Sequence, residues 1–223
     1  EPRVQGLQPA AASRRFPSYL APAMTQLPEL PLTLSRQEIR KMIRQRRRAL
    51  TPEQQQEMGQ QAATRMMTYP PVVMAHTVAI FLSFDGEVDT QPLIEQLWRA
   101  GKRVYLPVLH PFSAGNLLFL NYHPQSELVM NRLKVHEPKL DVRDVLPLSR
   151  LDVLITPLVA FDEYGQRLGM GGGFYDRTLQ NWQHYKMQPV GYAHDCQLVE
   201  KLPVEEWDIP LPAVVTPSKV WEW

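Results

Sequence analysis

Apolar residues recur with helical spacing in the first half of the chain, and each such stretch begins at a residue that can cap a helix. The segment Ser35–Glu38 is a capping box, so a first helix is predicted to begin near residue 36. Thr51 is followed by a proline at the first helical position, which predicts a second helix that runs to about residue 68. A third helix is predicted over residues 90–100, because Thr90-Gln-Pro-Leu can open a helix and Gly101 can end it.

Short apolar runs lie between and after these helices, and their length is typical of buried strands. They occupy residues 78–82, 104–109, 117–122, 151–156, 189–193 and 213–216, and residues 158–161 are expected to extend the strand at 151–156 beyond Pro157. A further helix is predicted over residues 174–182. Strands that alternate with helices indicate an α/β fold, which we expect to be a single layered domain with a mostly parallel sheet flanked by helices.

Residues 1–32 lack the apolar periodicity of the rest of the chain and are rich in proline and alanine. We expect a disordered N-terminal extension over residues 1–32 and one α/β domain over residues 33–223. No apolar run in the sequence approaches the roughly 20 residues that a membrane-spanning helix needs.

Composition and charge exclude several classes of protein. The net charge of +1 gives no general basic field for nucleic acid. A single cysteine, Cys196, excludes an internal disulfide and a cysteine-rich zinc site, and it is typical of the reducing cytoplasm. The six histidines do not have the spacing of a zinc enzyme. These features favour a cytoplasmic protein that binds neither nucleic acid nor a membrane. We also expect a monomer.

The densest glycine cluster lies in residues 167–177, which read Arg-Leu-Gly-Met-Gly-Gly-Gly-Phe-Tyr-Asp-Arg and hold four of the chain's 11 glycines. Backbone N–H groups in such a loop can surround an anion, and the carboxylate of Asp176 can hold Mg²⁺ beside a bound phosphate. The spacing matches neither a P-loop nor a dinucleotide-binding fingerprint. A plain turn between a strand and a helix is the alternative.

This segment resembles the signature of the 5-formyltetrahydrofolate cyclo-ligases, also called methenyltetrahydrofolate synthetases. Their pattern R-L-G-x-G-x-G-[YF]-Y-D stands here as residues 167–176, and the resemblance covers nearly all of residues 33–216. It implies ring closure of 5-formyltetrahydrofolate to 5,10-methenyltetrahydrofolate, with ATP as co-substrate, Mg²⁺ as cofactor, and ADP and phosphate as products. It also implies that Arg167 and Tyr175 are catalytic. The loop residues that it assigns to ATP binding are Arg167, Gly169, Met170, Gly171, Gly172, Gly173, Phe174 and Tyr175.

A row of arginines lies along the first predicted helix. Its members, spaced by three or four residues, are Arg36, Arg40, Arg44 and Arg47. A solvated basic face is the simpler interpretation, although like charges at this spacing repel and a bound anion would relieve the repulsion. The family carries a basic pair on its first helix that contacts ATP, and the resemblance assigns that role to Arg36 and Arg40. Many relatives have a lysine where this chain has Gly172, so these arginines and Arg167 would carry more of the phosphate charge.

Glu87 follows the strand predicted at residues 78–82, at the end of the sheet where ligands bind in α/β folds. On its own it is more simply interpreted as an exposed loop acid. The family has a Phe-Leu-Ser-x-x-x-Glu segment here whose glutamate contacts folate, so the resemblance places Leu82 and Glu87 in the substrate site.

The resemblance also implies two Mg²⁺ ligands, Asp176 and Asp208, with Asp195 and Glu206 as alternatives to the second. The remaining polar and aromatic residues have simpler interpretations. Packing or ordinary hydrogen bonding is expected for His184, His194, Cys196, Trp182, Trp207, Trp221 and Trp223.

Two other functions use parts of the same pattern. A non-catalytic sensor of phosphate ligands would need the glycine loop but neither Glu87 nor the two aspartates. A small-molecule kinase would keep ATP and Mg²⁺ but would not depend on folate.

Overall fold

The computed structural model describes residues 34–223, so the disorder expected for residues 1–32 lies outside the described part of the chain. The helices are α1 (Arg36–Arg48), α2 (Pro52–Thr68), α3 (Pro70–Met74), α4 (Gln91–Arg99) and α5 (Phe174–Leu179). The first strands are β1 (Thr77–Ala79), β2 (Arg103–Leu109), β3 (Leu117–Tyr122), β4 (Leu128–Met130), β5 (His136–Pro138) and β6 (Val153–Thr156). The remaining strands are β7 (Ala160–Asp162), β8 (Arg167–Leu168), β9 (Gln188–Tyr192), β10 (Leu198–Val199), β11 (Ala213–Val215) and β12 (Val220–Glu222).

The central sheet has seven strands in the order β12-β11-β9-β6-β1-β2-β3. The four pairings from β11 to β2 are parallel, and only the edge strands β3 and β12 pair antiparallel. Apolar residues of α2 and α4 cover one face of this sheet, and a second buried cluster lies against the other face. The expected α/β fold with a mostly parallel sheet is therefore confirmed.

Local capping fixes the starts of the first two helices. The Ser35 hydroxyl accepts from the Glu38 N–H and the Thr51 hydroxyl accepts from the Gln54 N–H, and both capping boxes are complete. Within α1, Ile39 and Ile43 are fully buried, as the predicted apolar stripe requires.

Several elements differ from the sequence prediction. The run at residues 158–161 does not extend β6, because Pro157 has no N–H to continue the pairing; β7 instead joins a small sheet of order β10-β7-β8. The strand expected at residues 78–82 is paired only over Thr77–Ala79, and the helix expected at residues 174–182 ends at Leu179. Strand β12 and the β4–β5 hairpin were not predicted.

The topology brings two loops to one place. The loop after β1 contains Glu87, and the glycine loop connects β8 directly to α5. Among residues 34–223, no helix combines the length and apolar character needed to cross a membrane.

Candidate active site

A cleft of about 620 Å³ lies between α1, the loop after β1, the β4–β5 hairpin and the glycine loop. Its lining includes almost every residue that the sequence assigned to the site. Those lining residues are Arg36, Arg40, Leu82, Glu87, Arg167, Gly169, Met170, Gly171, Gly172, Gly173, Phe174, Tyr175 and Asp176. Asp208 lies behind Arg36 and bonds to it. The residues that the resemblance singled out are therefore neighbours in space.

The glycine loop is held in shape by arginines that bind its carbonyl groups. Arg40 Nε donates to the Gly169 carbonyl at 2.7 Å, and Arg177 Nη1 donates to the Gly172 carbonyl at 2.8 Å. Gly171 and Gly173 have φ of 110° and 71°, a region that residues with a Cβ rarely adopt. Because cations occupy these carbonyl groups, the loop can present its N–H donors to an anion in the cleft.

Arg167 is a buried cation beside this loop. Its Nε donates to the Pro157 carbonyl at 2.9 Å, and its guanidinium lies 5.3 Å from the centre of the Tyr175 ring. Burial lowers the pKa of Arg167, whereas the nearby Asp176 carboxylate opposes that shift most strongly. Arginine stays protonated even so, which places a fixed positive charge at the base of the cleft.

Tyr175 completes this corner of the site. Burial raises the pKa of the Tyr175 phenol far above its ordinary value, with Arg167 opposing the shift. The phenol is therefore neutral and keeps its proton, so it can donate a hydrogen bond.

Arg36 is held by Asp208 in a two-point ion pair. The Nη1–Oδ2 distance is 2.7 Å and the Nη2–Oδ1 distance is 3.1 Å, and the Asp208 side chain is only 3% exposed. Asp208 also accepts from the Glu205 N–H at 2.8 Å. Both oxygens of Asp208 thus have donors, which orients Arg36 at the rim of the cleft.

Asp176 is the acid best placed to take a metal ion. It lines the cleft, and its Oδ1 accepts from the Ile209 N–H at 3.3 Å. Within residues 34–223, no group of three or more acidic, histidine or cysteine side chains is arranged to hold a metal. Of the two alternatives to Asp208, Asp195 bonds to Ser218 Oγ and Glu206 is exposed. A Mg²⁺ ion here would depend on phosphate oxygens and water for most of its ligands.

Glu87 lies in a tight turn and faces the same cleft. Its Oε1 accepts from the Phe84 N–H at 2.8 Å. Burial raises the pKa of Glu87 to about 7, and the charge of Arg47 is the largest influence in the opposite direction. The apolar side chain of Leu82 lines the cleft beside it.

The sequence interpretation missed the contribution of the β4–β5 hairpin. Glu137 of this hairpin accepts from the Leu109 N–H at 3.0 Å and from Asn131 Nδ2 at 3.0 Å, which docks the hairpin on the end of β2. Residues 131–137 follow no regular apolar pattern, and their place in the site depends on this distant contact. The only sequence feature that could have indicated this contact is the residue type of Glu137, an acid, and of Asn131, an amide.

Trp207 corrects another expectation. Packing was expected, but its side chain is 62% exposed and lines the cleft. Trp182 and Trp221 do pack against the second core cluster, and Trp223 makes an edge contact with Phe161. His194 is buried and lies 3.1 Å from the Gly86 carbonyl, so the expectation of a hydrogen-bonded histidine is confirmed.

The arginine row of α1 is not uniformly solvated. Arg47 is only 3% exposed, whereas Arg36, Arg40 and Arg44 are partly buried. A simple solvated face is therefore wrong for Arg47, because the loop after β1 packs over this end of the helix and covers it.

Comparisons with known proteins show the family to which the chain belongs. The model of the 5-formyltetrahydrofolate cyclo-ligase family matches residues 33–217. The 5-formyltetrahydrofolate cyclo-ligase of Escherichia coli K12 is 98% identical over 182 residues, which cover 82% of this chain and 100% of that protein. The Haemophilus influenzae enzyme of the same name is 52% identical over 179 residues, covering 80% of this chain and 96% of that protein.

A solved structure supports the same assignment. The NMR structure of Aquifex aeolicus 5,10-methenyltetrahydrofolate synthetase matches with a TM-score of 0.72 and 28% identity, covering 84% of this chain and 92% of that one. The family model spans most of the chain, and the first relative matches over its full length. The chain therefore belongs to the 5-formyltetrahydrofolate cyclo-ligase family of enzymes.

Proposed function

We propose that this enzyme uses ATP and Mg²⁺ to cyclise 5-formyltetrahydrofolate to 5,10-methenyltetrahydrofolate and releases ADP and phosphate. The observation that carries the proposal is that one cleft is lined by three features. They are the glycine loop bound by Arg40, the carboxylate of Asp176 and the partly buried Glu87. The first two features suit a nucleotide phosphate, and the third suits a ring with N–H donors.

The chemical difficulty of the reaction is that the formamide oxygen is a poor leaving group. Transfer of the γ-phosphoryl group to that oxygen breaks its bond to ADP and gives an iminium phosphate. N10 then attacks the formyl carbon and loses its proton, and the oxygen leaves as part of phosphate. Phosphoryl transfer of this kind needs alignment and charge neutralisation more than a protein nucleophile. The cleft offers several fixed cations and no base-activated nucleophile is required.

The phosphates of ATP are proposed to bind the N–H groups of residues 169–173, with Arg40 and Arg36 at the rim and Arg167 beneath. Arg40 already donates through Nε to Gly169, which leaves its terminal nitrogens for a ligand. Arg167 is placed to neutralise charge on the transferred phosphoryl group. The neutral Tyr175 phenol can donate a hydrogen bond beside it, and these two are the proposed catalytic residues.

Mg²⁺, when bound, would neutralise phosphate charge, and Asp176 is proposed to hold it. Asp208 stays a prediction as the second ligand, because both of its oxygens bond to Arg36. A phosphate that attracted Arg36 would release Asp208 for that role.

Folate is proposed to place its pterin ring against Glu87 and Leu82. Two carboxylate oxygens can accept the paired N–H groups of the ring edge and its amino group. Apolar residues that line the cleft, such as Phe81 and Leu106, suit the flat pterin ring.

The test is a mixture of protein, ATP, Mg²⁺ and 5-formyltetrahydrofolate, monitored at the long-wavelength absorbance band of methenyltetrahydrofolate. The band should grow, with one ADP and one phosphate formed per product, and growth should stop without ATP or with excess EDTA. Binding without product would indicate a sensor. ADP formation without the absorbance change would indicate a kinase.

The cytoplasmic location and the monomeric state also stay predictions. Cell fractionation and size-exclusion chromatography with light scattering test them.

A further inference from the structure

Three arginines of α1 converge on one carboxylate in the loop after β1. Asp85 lies 2.7 Å from Arg48 Nη2, 3.6 Å from Arg44 Nε and 3.7 Å from Arg47 Nη2. The Arg48 side chain is 63% exposed, whereas that of Arg47 is 3% exposed. Asp85 therefore ties the loop to α1 through three contacts, of which that with Arg48 is at the surface and that with Arg47 is buried.

The backbone at this point needs such support. Asp85 has φ of 51° and Gly86 has φ of 76°, so two consecutive residues are left-handed immediately before Glu87. This conformation is unfavourable for a residue with a side chain. The Gly86 carbonyl accepts from Gln55 Nε2 at 3.1 Å and lies 3.1 Å from His194 Nε2. Contacts from three separate elements thus fix the turn that aims Glu87.

Arg47 is the buried member of this group, and it is incompletely bonded. Its Nε has no hydrogen-bond partner within residues 34–223. Burial lowers the pKa of Arg47, and the attraction of Glu87 is the largest influence that raises it, followed by Asp85. A buried guanidinium is costly unless anions offset the loss of hydration. Two anions, Asp85 at 3.7 Å and Glu87 at the cleft, therefore offset this cost.

We propose that Arg47 and Asp85 are positioning residues for Glu87, acting from the side of the loop that faces away from the cleft. The proposal rests on the proposed contact between Glu87 and folate. Arg47 and Asp85 fix the turn, and Arg47 attracts the Glu87 carboxylate while Asp85 repels it. Other charged or titratable groups face Glu87 from β8, α5 and the segment after β9, and these are Arg167, Tyr175 and His194.

The two positioning residues have opposite effects on the charge of Glu87. Burial raises the pKa of Glu87 to about 7; Arg47 opposes this shift, and Asp85 adds to it. Loss of the Arg47 charge therefore raises the pKa of Glu87 further, so less carboxylate is present at neutral pH. Loss of the Asp85 charge lowers the pKa and leaves more carboxylate.

The test is the dissociation constant of 5-formyltetrahydrofolate, measured without ATP by calorimetry between pH 6 and pH 9. Arg47→Gln should weaken binding about tenfold at pH 7 and recover most of it at pH 9, whereas Arg47→Lys keeps the charge and should keep the wild-type midpoint. Asp85→Asn should move the midpoint to lower pH, because the negative charge beside Glu87 is lost. The variant should still fold, since asparagine tolerates the left-handed turn. Arg143→Gln is the matched control, on an exposed turn where its partner is Asp141.

A purely structural role would weaken binding equally at every pH, and an unmoved midpoint in both Arg47→Gln and Asp85→Asn would overturn the proposal. Should Arg47→Gln fail to fold, Asp85→Asn alone decides, because its predicted shift has the opposite sign. Glu87→Gln separates the two levels of the hypothesis. If Glu87→Gln binds folate with wild-type affinity and pH dependence, the proposed folate role of Glu87 is wrong. If Glu87→Gln binds folate more weakly, but the midpoints of Arg47→Gln and Asp85→Asn equal that of the wild type, only the positioning role is wrong.

Discussion

Replacing Arg40 with alanine tests whether α1 helps to bind ATP. Arg40 is partly buried at the cleft, donates to Gly169 through Nε, and lies 3.8 Å from the place where a Cβ on Gly171 would be. Burial and the neighbouring charges of Arg36 and Arg44 lower the pKa of Arg40. Its terminal nitrogens are thus crowded by cations and should bind an anion readily.

The expected loss follows from the bonds removed. Hydrogen bonds to a charged partner contribute about 1.5–3 kcal/mol, so kcat/KM for ATP should fall about 10- to 150-fold. Stability should also fall. The lost bond from the charged Arg40 guanidinium to Gly169 is worth about 1.5–3 kcal/mol, and relief of repulsion from Arg36 and Arg44 offsets a few tenths of it. For a chain of this size, the melting temperature should fall by roughly 3–10 °C, so the variant should still fold.

Initial rates with varied ATP at saturating folate give the first number, and folate affinity without ATP should be unchanged. Lys41→Ala is the control, because the next residue carries the same charge but is exposed. A wild-type kcat/KM for ATP in Arg40→Ala would refute the assignment of α1 to the nucleotide. An equal loss of kcat/KM for ATP in Lys41→Ala would show that ATP binding depends on the overall positive charge of the helix and not on a contact with Arg40.

Three further substitutions test other parts of the cleft. Glu87→Gln should raise the dissociation constant of folate about tenfold or more with little change in KM for ATP, because an acceptor becomes a donor; equal loss for both substrates would remove Glu87 from the pterin site. Asp176→Asn should raise the Mg²⁺ concentration needed for half-maximal rate, whereas Asp208→Asn should mainly raise KM for ATP; the reverse result in a Mg²⁺ titration would make Asp208 the principal ligand. Gly171→Ala should raise KM for ATP, since φ of 110° strains any residue with a Cβ by about 1–3 kcal/mol. Gly101→Ala, strained at φ of 75° but with open space around it, should lower only the melting temperature.

Local signals explain which elements could be predicted. Ser35 and Thr51 bond within three residues of their own positions, so the starts of α1 and α2 are written in adjacent sequence. The small sheet of β7, β8 and β10 is different, because its strands have only two or three residues each. The apolar run at residues 158–161 indicated part of β7, but β8 and β10 have only two residues each and depend on distant partners, so no periodicity reveals them.

The site shows the same division. The sequence could predict that the glycine loop and Glu87 line one cleft, because a family pattern marks both. The burial of Arg47 could not be predicted, because Arg47 continues the arginine row at a helical spacing just as Arg44 does. Only the packing of the Asp85 turn over the end of α1 distinguishes the two. Trp207 was missed for the converse reason, since nothing local tells a cleft tryptophan from a core one.

Helix α1 connects the two proposed substrate sites. Arg36 and Arg40 lie at the glycine loop, and Arg47 lies under the turn that carries Glu87, 11 residues after Arg36 and so about 16 Å along the helix. Each group of arginines has an internal anion, Asp208 at one end and Asp85 at the other. These anions reduce repulsion along the row when no ligand is bound. Arg36, the partner of Asp208, lines the cleft, and Arg47 does not. A bound phosphate could therefore replace Asp208, while the contact with Asp85 persists and holds the turn that carries Glu87. The separation between the nucleotide and the pterin is then set by a rigid helix, not by the loops that touch them.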